Sequence, residues 1–245
     1  MTANQLPRPG VIGILPAAGR GSRLGHLPCS KEILPLSADF DIEGNPRLWV
    51  LSDCVLAEFR RAGIEQITIV TAPHKQDIPA YFGGGERYQA SFSYIFLDSP
   101  NTPSSVAAAL GEQSGNTVAL GFPDILYGSD DAFSALLQEL QQSGADVVLG
   151  LYPTEYPHLV DMVECDADGQ VTGLLIKAQQ LPPSFQYCWL SAVWQPSFSE
   201  FLQQNLTDAS ERAQAQNKEL YMGDLFIRAL AAGLVVRGVA VADTP

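Results

Sequence analysis

Short apolar runs alternate with stretches of helical periodicity along most of the chain, and this alternation limits the fold more than any other feature. Val11 to Leu15, Gln66 to Thr71, Phe92 to Leu97, Thr117 to Gly121 and Asp146 to Leu151 read as strands bounded by turn-forming residues. Between them Leu48, Leu51, Val55 and Phe59 recur at helical spacing, with Gly63 after Arg60-Arg61 as a stop signal. Ser104 to Gln113 and Asp131 to Gln142 carry the same kind of pattern. Strands alternating with helices predict an α/β fold with a mostly parallel sheet. After Tyr152 the rhythm changes. Leu159 to Cys165 and Gln170 to Ile176 flank Asp166-Ala167-Asp168-Gly169, a hairpin signal that makes the second half partly antiparallel. Tyr187 to Trp194 adds a strand, Ser197 to Gln204 and Lys218 to Ala232 read as helices, and Leu234 to Val241 as a last strand.

With 245 residues, of which 46% are hydrophobic and 17% charged, the chain can bury a full core, and residues 1–245 are expected to form one domain with one site. The formal charge of −13 and the absence of a Lys/Arg cluster argue against a DNA or RNA footprint. A nucleotide is still a compatible ligand, because a few local donors and a divalent cation govern that contact. Cys29, Cys54, Cys165 and Cys188 show no CxxC pairing, which suggests neither a zinc site nor a disulfide frame and fits a reducing cytoplasm. The opening MTANQLPRPG lacks a basic segment followed by an apolar run, and no stretch reaches the roughly 18 uninterrupted apolar residues of a membrane span. A cytoplasmic protein, neither exported nor embedded, is expected.

The Val11 to Leu15 run ends abruptly in Pro16-Ala17-Ala18-Gly19-Arg20-Gly21-Ser22-Arg23-Leu24. Glycines at 19 and 21 would let backbone N–H groups approach a triphosphate, Ser22 could donate another hydrogen bond, and Arg23 supplies a fixed charge. A short Gly-x-Gly alone is equally consistent with a tight strand-to-helix turn. Lys31 follows within Pro28-Cys29-Ser30-Lys31-Glu32-Ile33-Leu34-Pro35-Leu36. The composite of Gly-rich Arg-Leu loop, Pro and Lys, then Leu-Pro resembles the signature of the sugar-1-phosphate nucleotidyltransferases, the nucleotide-sugar pyrophosphorylases acting with thymidylyl or uridylyl donors. Cys29-Ser30 separate Pro28 from the lysine, where that family has Pro-Lys directly.

The resemblance implies a Rossmann-like, three-layer, GT-A-like nucleotidyltransferase fold, with a nucleotide-binding half over about 10–150 and a sugar-phosphate-binding half over about 151–245. It implies Mg²⁺-dependent in-line transfer from an NTP or dNTP to a sugar-1-phosphate, releasing pyrophosphate. Arg23 and Lys31 would be catalytic, and Leu15, Ala17, Ala18, Gly19, Gly21 and Ser22 would surround the nucleotide. Ser105, in the helix where the family reads the base, joins them. Asp124, in Leu120-Gly121-Phe122-Pro123-Asp124, resembles the family's metal-holding Gly-Asp loop, with Phe122-Pro123 intervening. A helix or turn cap is its plain alternative. Lys177 resembles the lysine of a Lys-Pro element that contacts the sugar phosphate, although here no proline follows and no Glu precedes. Asp161 stands near where the family places a glycine beside the sugar. Asp224 reads as a helix cap. Asp243 either resembles the second metal ligand, or its Thr-Pro precedes a downstream motif. The three histidines read as solvated or structural, Trp189 and Trp194 as core, and homo-oligomerisation rests on the resemblance alone. Two other functions stay open: cytidylyl transfer to a non-sugar phosphorylated alcohol, and a nucleotidyltransferase-like domain that binds a ligand without turnover.

Overall fold

The computed structural model describes residues 10–19, 21, 25, 27–40, 46–127 and 131–241. Among the described residues the predicted alternation produces a nine-stranded sheet. Inside it lies β1 (Val11–Ala17), which pairs in parallel with β4 (Gln66–Thr71) on one side and β6 (Thr117–Leu120) on the other. Beyond β4 lies β5 (Ser91–Phe96), also parallel. On the far side of β6, β10 (Tyr187–Trp194) runs antiparallel to both β6 and β7 (Val147–Tyr152), and β11 (Val236–Ala240) closes the edge parallel to β7. The predicted hairpin forms as β8 (Asp161–Cys165) and β9 (Val171–Ile176), and β8 joins the sheet through Tyr187 and Cys188 of β10. The result is the expected mixed, mostly parallel sheet with an antiparallel excursion in the second half.

Helices cover both faces, which is why β6 and β7 are buried at every position rather than alternately. On one face α1 (Asp53–Arg61) and α4 (Ala132–Ser143) set Val55, Phe59, Phe133 and Leu136 against Leu15, Ile69, Ala119 and Val148. Phe59 and Phe133 meet edge to face at 4.7 Å, and burying each ring contributes about 1.5–3 kcal/mol. Gly121 lets α1 come this close to β6: a Cβ there would lie 2.4 Å from Val55 Cγ2. On the other face α3 (Thr102–Leu110), α5 (Pro196–Ala215) and α6 (Met222–Ala231) pack Val106, Phe198, Leu202 and Phe226 over Ile12, Ile14, Val118 and Trp194. The core positions expected for Trp189 and Trp194 are thus occupied, at 6% and 0% exposure.

The local structure departs from the sequence pattern at several points. Leu48 to Val50 belongs to β3 (Pro46–Val50), which forms a separate hairpin with β2 (Pro35–Phe40), so the helix expected from Leu48 begins only at Asp53. Its helical spacing was coincidental for Leu48, which is half exposed. A short helix, α2 (Asp77–Phe82), had no counterpart in the reading, because Pro79 and six residues leave too little period to detect. Helix α5 runs on to Ala215, past the apolar stripe, as a polar extension, whereas 218–221 is not helical and α6 starts at Met222. Asp131 takes the N-cap position of α4, yet the amide of Ala132 is bonded by the buried carboxylate of Glu58 at 2.8 Å. The four cysteines are free, and among the described residues no helix is long and apolar enough to cross a membrane.

Candidate active site

Parallel neighbours β1 and β6 end side by side, so the loops that follow them open at the same edge of the sheet, where ligands of open α/β folds gather. A cleft of about 480 Å³ lies there, with Ala18 and Gly19 from the β1 loop, Phe122 and Asp124 from the β6 loop, and Asn101 and Ser105 from the start of α3 among its lining. Lys31 reaches in from a single 3₁₀ turn (Lys31–Ile33), and its ammonium forms an ion pair with the Asp124 carboxylate. These two residues stand 93 positions apart in sequence.

The buried Ser52, Lys75 and Glu32, with the half-buried Tyr127, hold this meeting in place. The Ser52 hydroxyl lies 2.7 Å from the Glu32 carbonyl and 3.1 Å from the Pro123 carbonyl, so a single buried donor ties the Lys31 turn to the Asp124 loop. Lys75, just beyond β4, donates to the Ala17 carbonyl at 2.8 Å and to both Glu32 carboxylate oxygens at 2.8 and 3.0 Å. That pair is buried on both sides, at 6% and 1% exposure. Burial pushes the Glu32 carboxyl above its ordinary range, and the Lys75 ammonium pulls it back only in part. The Tyr127 hydroxyl accepts from the Phe122 amide at 3.0 Å and donates to the Leu190 carbonyl at 3.3 Å, bracing the Asp124 loop from beneath. Further out, Asp77 accepts from the Ser30 amide at 2.6 Å and hydroxyl at 2.7 Å. Burial acts to raise the Asp77 carboxyl, but these bonds and the backbone of α2 together hold it below its ordinary value.

A second recess of about 330 Å³ continues from the cleft, sharing Thr102, Phe122, Asp124 and Glu219 with it. Lys177 enters it from the end of β9 with φ of 44°, a left-handed conformation that costs a non-glycine residue about 1 kcal/mol or more. Its ammonium sits 3.7 Å over the Tyr221 ring. Asp161 and Trp189 also line this recess. Burial lifts the Asp161 carboxyl to about 6, against the pull of the Lys177 charge and the Trp189 indole N–H, with the nearby Asp224 carboxylate adding to the rise. Asp224 itself accepts from the Tyr221 amide at 2.8 Å at the start of α6, the capping position expected of it.

The structure therefore gathers Ala18, Gly19, Lys31, Ser105 and Asp124 around one cleft, with Lys177 in the recess that extends it. Gly21 lies next to Lys31, on an adjoining pocket. Leu15 and Ala17 line neither space: their side chains are buried in the core, and the Ala17 carbonyl accepts from Lys75. Ser105 is 3% exposed, and its hydroxyl lies 3.4 Å from the Asn101 carbonyl. Arg23, Ser22 and Asp243 lie outside the described residues, as does His26; His74 and His158 are exposed. Ser52 and Lys75 stood outside the motifs. Lys75 alone had a signal, a lysine just past the carboxyl end of a predicted parallel strand.

No family model and no curated protein matches this sequence. Among solved structures the chain resembles a Bacillus anthracis protein, provisionally designated a glucose-1-phosphate thymidylyltransferase and determined in complex with a sucrose. The TM-score is 0.77 over 95% of this chain and 87% of that one, at 15% identity. At that identity the likeness speaks for architecture alone: the chain shares the Rossmann-like α/β fold of that protein.

Proposed function

We propose that this protein transfers a nucleotidyl group from an NTP or dNTP to a sugar-1-phosphate, giving a nucleotide sugar and pyrophosphate, within one domain spanning the chain. The observation that carries the reading is the meeting of Lys31 and Asp124 beside Gly19 at the carboxyl ends of β1 and β6. A cation and a carboxylate brought together at that edge match the two needs of phosphoryl chemistry, charge on the phosphates and a seat for a divalent ion. The donor set fits Mg²⁺ held largely by substrate. Glu32, Asp98, Asp124 and Glu219 line the cleft with Lys31 as the one described cation, so a triphosphate entering it requires added positive charge. Mg²⁺ commonly takes one or two protein carboxylates and completes its shell with phosphate oxygens and water.

In this reading Asp124, with Asp243 as the second carboxylate, holds Mg²⁺, which when bound offsets charge on the phosphate oxygens. Lys31 turns from Asp124 to the triphosphate, Arg23 and the loop of Gly19, Gly21 and Ser22 enclose it, and Ser105 stands near the base. Lys177 receives the phosphate of the acceptor in the adjoining recess. An acceptor phosphate oxygen forms its bond to the α-phosphorus as the bond to the bridging oxygen breaks and pyrophosphate leaves, so this chain contributes position and charge and no covalent intermediate.

The test is Mg²⁺-dependent pyrophosphate release from each common NTP and dNTP with a panel of sugar-1-phosphates and polyol phosphates. We expect release with one donor and acceptor class, reduced about 10²–10³-fold in Asp124→Asn and Lys31→Ala. Release confined to a polyol phosphate would replace the sugar acceptor, and no release from folded protein on any pair would overturn the transferase.

A further inference from the structure

Two polar atoms in the recess beside Lys177 are orphaned. Asp161 is 9% exposed and Trp189 is 6% exposed, and neither Asp161 Oδ1 nor Trp189 Nε1 has a hydrogen-bond partner among the described residues. Leaving such atoms unsatisfied forfeits their hydration with no return, so a native structure that keeps two together has a use for them. They are near enough for the indole N–H to act on the carboxyl, yet outside hydrogen-bond geometry with each other. The carboxylate has no room to retreat, because the backbone of α6 presses on it: a Cβ at Gly223 would fall 2.6 Å from Asp161 Oδ2. Phe122 and Phe226 pack the indole at 5.7 and 5.1 Å and confine it in turn.

We infer that Asp161 and Trp189 form a specificity-determining pair that reads one hydroxyl group of a polyhydroxylated ligand in this recess. A carboxylate only accepts and an indole N–H only donates. One hydroxyl answers both, donating to Asp161 Oδ1 and accepting from Trp189 Nε1. An ammonium group would satisfy the carboxylate but meet the like charge of Lys177 and leave the indole unpaired. Taking the ligand as the acceptor of the transfer rests on the function proposed above; the pairing itself does not.

Calorimetric titration tests it with glucose-1-phosphate, mannose-1-phosphate and glycerol-3-phosphate, and with the monodeoxy analogues of both sugars, against wild type, Asp161→Asn and Trp189→Phe. We expect one hydroxyl whose removal weakens binding to wild type about tenfold to a hundredfold. Both variants should bind the parent and that deoxy analogue within about threefold of each other. The near-isosteric Asp161→Asn keeps the test sound if Trp189→Phe melts early. The inference falls if every deoxy analogue matches its parent, if both variants keep the wild-type preference, as a buried water bridging the pair would produce, or if none of these compounds binds. Pyrophosphate release on the same samples separates the two readings: preference without turnover retires the transferase alone, and turnover without preference retires the hydroxyl pair alone.

Discussion

Replacing Lys75 with methionine removes the ammonium while keeping most of the stem, and leaves the Glu32 carboxylate 1% exposed with its buried partner gone. Three hydrogen bonds disappear at once, those to the Ala17 carbonyl and to the two Glu32 oxygens. Breaking a buried pair from one side costs about 3–5 kcal/mol, because the remaining charge stays desolvated. For a chain of this size that predicts a fall in Tm of roughly 6–20 °C. The sign of the pH dependence follows from Glu32, whose carboxyl burial already raises. A carboxyl raised on folding binds its proton more tightly in the native state, so stability falls as pH climbs from the ordinary value through the folded one. Lys75 is what limits that rise, so the deficit of Lys75→Met should widen as pH climbs from the ordinary carboxyl value through the raised native one. In Lys75→Met/Glu32→Gln no charge is left buried, and most of the loss should return. Urea melts of wild type, both single variants and the double variant across this range make the measurement. A deficit under about 1 kcal/mol, or a double variant no better than Lys75→Met, would refute the claim that a coupled buried pair anchors the Lys31 turn.

Three further outcomes are expected. Asp77→Asn should be less stable than wild type at neutral pH, with the gap closing as pH falls through the native Asp77 value, since a carboxyl held low contributes stability only above that value; acid melts of both proteins check this. Gly121→Ala should lose about 1–3 kcal/mol in denaturant melts, because the new methyl would meet Val55 Cγ2 at 2.4 Å and Phe59 at 3.1 Å inside a packed core. Tyr127→Phe strands the Phe122 amide and should cost about 1–3 kcal/mol in the same assay, with a drop in turnover as the Asp124 loop loses its brace.

The layered α/β architecture was readable along the chain because strands such as Val11–Ala17 and Val147–Tyr152 carry their burial in continuous apolar runs, a local property. The antiparallel turn of the second half was equally local, written in Asp166-Ala167-Asp168-Gly169 between β8 and β9. Lys31 and Asp124 could be singled out by motif, each at its own place in the sequence. That Lys31 pairs with Asp124 was decided by the parallel neighbours β1 and β6 ending at one edge. Period alone misled at Leu48, where pairing with β2 outweighed a helical spacing that continues into α1. Nothing in the sequence joins Lys75 to Glu32, 43 positions away, or Asp161 to Trp189. Only tertiary packing withdraws them from water, and it is desolvation that turns them into a buried ion pair and a waiting donor and acceptor.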